Sequence, residues 1–248
     1  MMHSFLLIGQ SNMAGRGFLE KAREIDTSRL YTLRNGRWVK LFRPIHSDRS
    51  TAGVSLAESF AEAYAKKYDV DVGLICCADG GTSLNQWQEG ELLYDNAVTQ
   101  AKLAQRTSTI VGVLWHQGEA DCNPSSAATY KLRFARMIRA LSRDLGLSDT
   151  PLLVGELGEF LAHCTLGEHF GNYPLVNEQL HAFAKENAGV GIVSAKGLTS
   201  NEDFLHFDAE SLYEFGLRYF EALEALPASK RSFEEKADGT TKTELERL

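Results

Sequence analysis

Short, nearly continuous apolar runs alternate along the chain with longer segments whose apolar residues recur at helical spacing. The short runs are typical of buried strands, and they cover residues 3–9, 71–78, 109–118, 151–158 and 190–197. The longer segments predict amphipathic helices at residues 53–68, 92–106, 125–146, 174–188 and 209–226. One further segment, residues 30–41, alternates apolar and polar residues around Asn35-Gly36, a dipeptide that favours a tight hairpin turn.

This alternation of strands and helices predicts an α/β domain with a mainly parallel sheet covered on both faces. Right-handed crossovers then favour a three-layer α/β/α sandwich, with a sheet of about five strands. We expect the domain to occupy residues 1–226. Residues 227–248 are polar, and with few apolar side chains to bury they are expected to form a flexible tail.

Composition and charge exclude several classes of protein. The 248 residues are 44% hydrophobic and 24% charged, which is ordinary globular composition. A formal net charge of −7 argues against nucleic acid or an anionic membrane as a partner. No apolar run approaches the roughly 18 residues of a membrane span. The opening residues also lack the features of a secretory signal, so we expect a cytoplasmic protein.

The cysteines and histidines show no spacing that predicts a metal site or a disulfide framework. Cys76, Cys77, Cys122 and Cys164 form no CxxC pair, and no two of the seven histidines form an HExxH motif. We expect reduced cysteines that serve packing, with no structural metal.

Polar residues are concentrated where the predicted strands end. These segments are GQSNMAG (9–15), ADGGTSLNQW (78–87), HQGEADC (116–122), GELGEF (155–160) and TSNEDFLHFD (199–208). Ligands of open parallel sheets bind beyond the carboxyl ends of the strands. We therefore expect these distant segments to converge on one site.

Two of these segments contain candidates for nucleophilic catalysis. Ser11 is a candidate nucleophile, although its segment is not the G-x-S-x-G motif and a simple turn serine has the same appearance. Asp203 and His206 stand three residues apart, a spacing at which a carboxylate can orient an imidazole. Glu202 and Asp208 are rival carboxylates, but Asp208 is expected to cap the last helix.

A serine nucleophile also needs hydrogen-bond donors aimed at the oxyanion of its tetrahedral intermediate. Gly80 and Gly81 offer backbone N–H groups that a substrate can approach closely, with a plain turn as the alternative. Gln117 offers a side-chain amide at the end of a neighbouring strand.

The segments GQSNMAG, GGTSLNQW, WHQGEAD and DFLHF, in this order, resemble the sequence blocks of the SGNH (GDSL-like) hydrolase superfamily. More narrowly, they resemble carbohydrate esterase family 6, which includes acetylxylan esterases and the sialate O-acetylesterase-like domain. The resemblance extends from position 9 to the final helix. It implies a flavodoxin-like SGNH hydrolase fold and an esterase that removes acetyl groups from a sugar without a cofactor.

Matched position by position, the resemblance implies that Ser11 is the nucleophile, His206 the general base and Asp203 its carboxylate partner. It also implies that the oxyanion is bound by the N–H groups of Ser11 and Gly81 and by the side chain of Gln117.

The same resemblance suggests roles for several neighbouring residues. Glu119 matches an acid that this family is thought to use as a second helper to the histidine, and a structural anchor is the alternative. Asn12, Gly80 and Trp87 are expected at the substrate site. Asn12 is also expected to brace the turn beside Ser11, and core packing is an equal alternative for Trp87. His116 is expected to be structural.

The expected substrate is a small acetylated saccharide, either a xylo-oligosaccharide or a sialic acid, which is deacetylated through an acetyl-enzyme intermediate. One alternative is another specificity on the same fold, such as a lysophospholipase, thioesterase or aryl esterase. A non-catalytic carbohydrate-binding protein is a second alternative, which the complete set of candidate residues disfavours. Association into a homo-oligomer stays open.

Overall fold

A seven-stranded sheet runs through the protein, for which a computed structural model describes residues 2–227. The strands are β1 Met2–Gly9, β2 Leu30–Arg34, β3 Arg37–Lys40, β4 Val72–Cys76, β5 Ser108–His116, β6 Leu152–Gly155 and β7 Val190–Val193. They lie in the order β3-β2-β4-β1-β5-β6-β7, and every neighbouring pair is parallel except β2 and β3. Without the β2–β3 hairpin, this is the flavodoxin-like order.

Seven α-helices accompany these strands within the described residues. They are α1 Ser11–Ala14, α2 Leu56–Tyr68, α3 Leu92–Ala104, α4 Pro124–Ala128, α5 Tyr130–Leu145, α6 Tyr173–Glu186 and α7 Ala209–Ala225. The α/β class and the mainly parallel sheet are as predicted. The predicted tail at 227–248 lies, apart from Pro227, outside the described residues.

The sheet has seven strands and not about five, because both strands of the hairpin extend it beside β4. The predicted hairpin itself is confirmed. Asn35 and Gly36 both have positive φ angles, 51° and 73°, at its turn, and such angles match the twist of an antiparallel pair.

The segment predicted as one helix at 125–146 forms two helices. Thr129 separates α4 from α5 with φ −106° and ψ 3°, outside the helical region. Its hydroxyl donates to the carbonyl groups of Ser125 and Ser126, which replaces part of the interrupted helical bonding.

Helices cover the sheet on both faces, as adjacent residues of β5 demonstrate. Trp115 packs against Phe134 of α5, whereas His116 packs against Phe215 of α7. Since neighbouring strand residues point to opposite faces, α5 and α7 lie on opposite sides of the sheet. Phe5 of β1 contacts α2 through Phe60, and α2 in turn packs against α7.

Side chains cap the starts of α2, α4 and α7. Ser55 and Glu58 form a reciprocal capping box at the start of α2. Asp208 accepts from the N–H of Ser211 at 2.8 Å, which confirms the predicted cap of α7. No helix in residues 2–227 is both long and apolar enough to span a bilayer.

Gly216 allows α7 to approach α2 closely, and this contact generates a stability prediction. A Cβ at this position would overlap Leu56 O and Ser59 Oγ. We expect Gly216→Ala to lower the free energy of unfolding by about 1–3 kcal/mol in urea titrations, because overpacking outweighs the better helix propensity of alanine. Gly171→Ala is the control, since a Cβ there meets no atom within 4 Å. Equal stability of the two variants would contradict the close-approach argument.

Candidate active site

Ser11 lies immediately beyond the end of the central strand β1. The pairing of this strand continues past its last residues, because Gln10 N donates to His116 O at 2.9 Å and Asp79 N donates to Gly9 O at 3.0 Å. Helix α1 begins at Ser11, so the Ser11 N–H belongs to the first turn, where no intrahelical acceptor exists.

A chain of hydrogen bonds joins Ser11 to the loop before α7. His206 Nε2 lies 3.0 Å from Ser11 Oγ, across 195 positions of sequence. On its other side, His206 Nδ1 lies 2.6 Å from Asp203 Oδ2. With the Nδ1–H donated to Asp203, Nε2 is left to accept from the Ser11 hydroxyl. This arrangement can transfer the hydroxyl proton to the imidazole.

Asp203 is held as a carboxylate by the turn that it forms. Its Oδ1 accepts from the N–H groups of Leu205 and His206, at 2.9 and 3.0 Å. Burial alone raises the pKa of this carboxyl, but these bonds and the imidazole contact outweigh burial and lower the pKa to about 2. The side chain is therefore ionised at neutral pH and can stabilise an imidazolium.

Asn12 attaches α1 to the histidine loop. Its Nδ2 donates to Leu205 O at 3.1 Å and its Oδ1 accepts from Phe207 N at 3.1 Å, so the bonds grip the residues on either side of His206. Asn12 is almost fully buried. It braces the turn, as expected, but it is not exposed to bind substrate, because its polar atoms are committed to these internal bonds.

Glu119 contacts Asn12 and not His206. Its Oε1 accepts from Asn12 Nδ2 at 2.5 Å, and it lies 3.7 Å from His116 Nδ1. Burial lowers the pKa of the His116 imidazole despite the neighbouring Glu119 carboxylate, so His116 is neutral in the core. The contacts of Glu119 favour the anchoring alternative over a direct role as a second helper.

A comparison with protein families agrees with the esterase chemistry that the Ser11, His206 and Asp203 geometry allows. A family described as "Carbohydrate esterase, sialic acid-specific acetylesterase" matches residues 1–225. The chain belongs to this family. It is therefore a carboxylic ester hydrolase of the carbohydrate acetylesterase class.

Individual relatives agree with this assignment. A carbohydrate esterase of Arabidopsis thaliana is 30% identical over 241 residues, which is 88% of each chain. The crystal structure of the Arabidopsis protein superposes with a TM-score of 0.79, at 28% identity, over 91% of the esterase and 99% of that chain. NanS shares the fold at 17% identity and a TM-score of 0.71, over 90% of the esterase and 96% of NanS.

The side chain of Gln117 does not face the active site of the esterase, in contrast to the oxyanion role expected for it. Its Nε2 donates to Thr82 O at 3.0 Å and to Asp121 Oδ2 at 2.7 Å, which occupies both amide hydrogens. Its Oε1 accepts from the Tyr130 hydroxyl at 2.9 Å. Gln117 therefore holds the loop after β4, which carries Gly80 and Gly81, through the bond to Thr82 O.

Trp87 is a core residue and does not line the substrate site. It is 1% exposed, its ring packs edge-on against Trp115, and its Nε1 donates to Thr82 Oγ1 at 3.1 Å. Leu84 N, in the same loop, donates to Asp121. Trp87 thus stabilises the loop after β4 from the inside.

The two glycines of this loop differ in what their N–H groups do. Gly80 N donates to Asp48 Oδ2 at 2.9 Å. This N–H is therefore not free to bind a substrate, in contrast to the role expected for Gly80. Gly81 has a φ angle of 77°, is exposed, and its N–H has no acceptor within residues 2–227. Its N–H stays a candidate oxyanion donor beside that of Ser11.

Sequence reasoning missed Arg16, Asp48 and Asn201, which surround the site. Arg16 directly follows GQSNMAG, so its position was a usable signal. Asp48 lies in an irregular segment after the hairpin and carries no periodic or motif signal. Among the described residues, no three His, Cys, Asp or Glu side chains come together as a metal-binding group.

The geometry of Gln117 predicts a structural defect in Gln117→Ala. Removal of the amide takes one hydrogen bond each from the Thr82 carbonyl, the Asp121 carboxylate and the Tyr130 hydroxyl in a buried setting, so we expect the free energy of unfolding to fall by on the order of 3 kcal/mol in urea titrations. Gln105→Ala is the matched control, because Gln105 Nε2 makes a peripheral bond to Leu145 O. Unchanged stability combined with a large loss of kcat would return Gln117 to the oxyanion role.

Proposed function

We propose that the esterase removes O-acetyl groups from a small saccharide through an acetyl-enzyme intermediate on Ser11. The observation that carries this proposal is the hydrogen-bonded series from Ser11 Oγ through the His206 imidazole to the Asp203 carboxylate. Membership of the carbohydrate esterase family supports the class of substrate.

In the first half-reaction, Ser11 Oγ attacks the acetyl carbonyl carbon while His206 Nε2 takes the hydroxyl proton. The carbonyl oxygen becomes an oxyanion, which the N–H groups of Ser11 and Gly81 stabilise. When the carbon–oxygen bond to the sugar breaks, the imidazolium returns the proton to the leaving sugar oxygen. The acetyl group is then an ester of Ser11.

In the second half-reaction, water replaces the sugar. His206 takes a proton from water as its oxygen attacks the acetyl carbonyl, and the same two N–H groups stabilise the second oxyanion. Collapse of this intermediate breaks the bond to Ser11 Oγ, which recovers its proton from His206. Acetate leaves, and Asp203 stays ionised throughout because of its lowered pKa.

The leaving sugar needs space near His206, and we assign it to a cleft beside this residue. The cleft has a volume of about 670 Å³. It is lined by residues 16–20, 51–53, 201–203 and His206. Phe18 is 46% exposed there, a large apolar surface that suits the C–H face of a sugar ring.

The charges of this cleft support a neutral saccharide over a sialic acid. Glu20 and Glu202 are exposed along the cleft and Asp203 also lines it, whereas the guanidinium of Arg16 is bonded to Asp48. One cation, the Lys21 ammonium, lies 5.4 Å from the centre of the Phe18 ring, so acidic groups are in excess. A sialic acid brings a carboxylate into this acidic surrounding, where like charges repel. An acetylated xylo-oligosaccharide carries no such charge.

Loss of the nucleophile tests the proposal directly. We expect Ser11→Ala to lower kcat for acetate release from acetylated xylo-oligosaccharides by at least about 10⁴-fold, and Asp203→Asn by about 10⁴-fold because the imidazole loses its orienting partner. With wild-type enzyme, acetylated sialic acid is expected to be a poorer substrate than the acetylated xylo-oligosaccharides.

A series of p-nitrophenyl esters from acetate to octanoate, with wild-type enzyme, separates the acetylesterase from other esterases. A steep preference for acetate is expected. Wild-type rates in Ser11→Ala would reject the mechanism, and a preference for long acyl chains would favour the lysophospholipase or thioesterase alternative.

The cleft generates a prediction about binding of the leaving group. We expect Phe18→Ala to raise KM for an acetylated xylo-oligosaccharide about tenfold, because an aromatic contact is lost. The rate with ethyl acetate should stay within about twofold, since its leaving group is too small to reach the ring. Phe42→Ala is the control, because Phe42 is similarly exposed at 52% and lies outside the cleft. An equal effect of Phe18→Ala on both substrates would contradict this assignment.

A further inference from the structure

The turn that carries Gly81 has its peptide groups fixed by side chains, two of them from outside the turn. We call residues 79–82 the glycine turn. In the peptide between Asp79 and Gly80, the N–H donates to Asp48 Oδ2 at 2.9 Å and the carbonyl accepts from Thr82 Oγ1 at 2.7 Å. In the peptide between Gly80 and Gly81, the carbonyl accepts from Arg49 Nη2 at 2.9 Å.

This leaves one free group. Within the described residues, every polar atom of these two peptides is bonded except the Gly81 N–H. In a trans peptide the carbonyl and the following N–H lie in one plane and point in opposite directions. The bond from Arg49 to the Gly80 carbonyl therefore sets the direction in which the Gly81 N–H points.

Asp48 is itself held by a buried ion pair. Its Oδ2 lies 2.6 Å from Arg16 Nη2, and its side chain is 3% exposed. Burial raises the pKa of the Asp48 carboxyl, but the Arg16 guanidinium and the Gly80 N–H outweigh burial, and the pKa lies below its ordinary value. Asp48 is thus a charged acceptor for the Gly80 N–H. Arg49 Nη1 also donates to Asp48 O at 2.7 Å.

The same pair continues to the histidine loop. Arg16 O accepts from Asn201 Nδ2 at 3.0 Å, and Asn201 N donates to His206 O at 2.8 Å. Arg16 Nη1 also donates to Gly15 O, next to α1. A continuous series of polar contacts therefore runs from Gly80 through Asp48 and Arg16 to the backbone of His206.

We propose that Arg49 and the Arg16–Asp48 pair are positioning residues, which hold the glycine turn so that the Gly81 N–H points at the oxyanion formed on Ser11. The inference deepens the proposed function and rests on it. None of the three side chains touches the acetyl group. They act through the backbone of Gly80 and Gly81.

Loss of these positioning residues is expected to destabilise the transition state and not the bound substrate. The oxyanion exists only after attack, so a misdirected Gly81 N–H lowers kcat and leaves substrate binding nearly unchanged. Misplacement of a catalytic group by about 1 Å costs on the order of 100-fold in rate. A purely structural role would instead lower stability without separating kcat from KM.

Two variants test the inference with p-nitrophenyl acetate as substrate. We expect Arg49→Ala and Asp48→Asn to lower kcat by about 10- to 100-fold, with KM within about twofold of wild type. Arg49 is the more telling position, because its side chain is 50% exposed, and its removal takes away the bond to Gly80 O and an ion pair with Asp79 Oδ1 at 2.8 Å while the Arg16–Asp48 pair keeps both of its members. If Asp48→Asn does not fold, Arg49→Ala alone decides the outcome.

Matched controls remove the same kinds of interaction elsewhere. Arg143→Ala deletes an exposed arginine that pairs with Glu89 and Asp144. Glu58→Gln neutralises a buried carboxylate that, like Asp48, binds an arginine and a backbone N–H. Both controls should keep kcat within about twofold of wild type. Test variants that match their controls in kcat would overturn the inference.

A spectroscopic measurement reports on the N–H itself. When wild-type enzyme is phosphonylated on Ser11 by a p-nitrophenyl methylphosphonate ester, the amide proton of Gly81 should move downfield as it bonds the phosphonyl oxygen. The shift should be lost in Arg49→Ala, and its persistence would overturn the inference.

The Ser11→Ala variant distinguishes failure of the proposed function from failure of the positioning role. Its full activity would reject the proposed function, whereas an inactive Ser11→Ala beside a fully active Arg49→Ala would reject only the positioning role.

Discussion

Backbone hydrogen bonds that continue the pairing of β1 past its end bring the active site together. Gly9 O accepts from Asp79 N and Gln10 N donates to His116 O, so the loops after β4 and β5 begin at the same level as Ser11. A Cβ at Gly9 would overlap the His116 carbonyl, and its φ angle of 131° lies where other residues are strained. Glycine at this position therefore allows three strand ends to meet closely enough for the candidate catalytic groups to lie side by side.

Buried polar networks beneath the site convert this proximity into a defined geometry. Asn12, bonded to Glu119, holds the backbone on both sides of His206. Gln117 and Asp121 hold the loop after β4. Because an unbonded polar atom is costly in a buried setting, each network tolerates few alternative arrangements. Side chains that resemble catalytic donors in the sequence thus serve as supports, and the groups presented to substrate are the few left unbonded.

The sequence was informative where local pattern and topology determine position. Apolar runs located the strands, and the rule that parallel strands end at one edge placed Ser11 near Asp203 and His206. It was misleading for Gln117 and Trp87, whose donors bond Asp121, four residues on, and Thr82, five residues back. A sequence motif shows that a donor is present, but only the folded chain shows that a neighbouring acceptor already uses it. Asp48 was missed for a related reason: it binds Gly80 across 32 positions from a segment without regular structure.

The buried bonds that fix the strand ends, which we call the framework, are separate from the exposed residues of the cleft. Substrate specificity can therefore vary while the fold is kept. NanS shares the architecture at 17% identity. The framework needs only the strand ends and the bonds that fix them. The cleft beside His206 is lined instead by loop residues. Exposed Phe18, Glu20 and Glu202 contribute apolar and charged surface to it. We expect changes at these exposed positions to alter which sugar the proposed site accepts, because none of these side chains takes part in the bonds that orient His206 and Ser11.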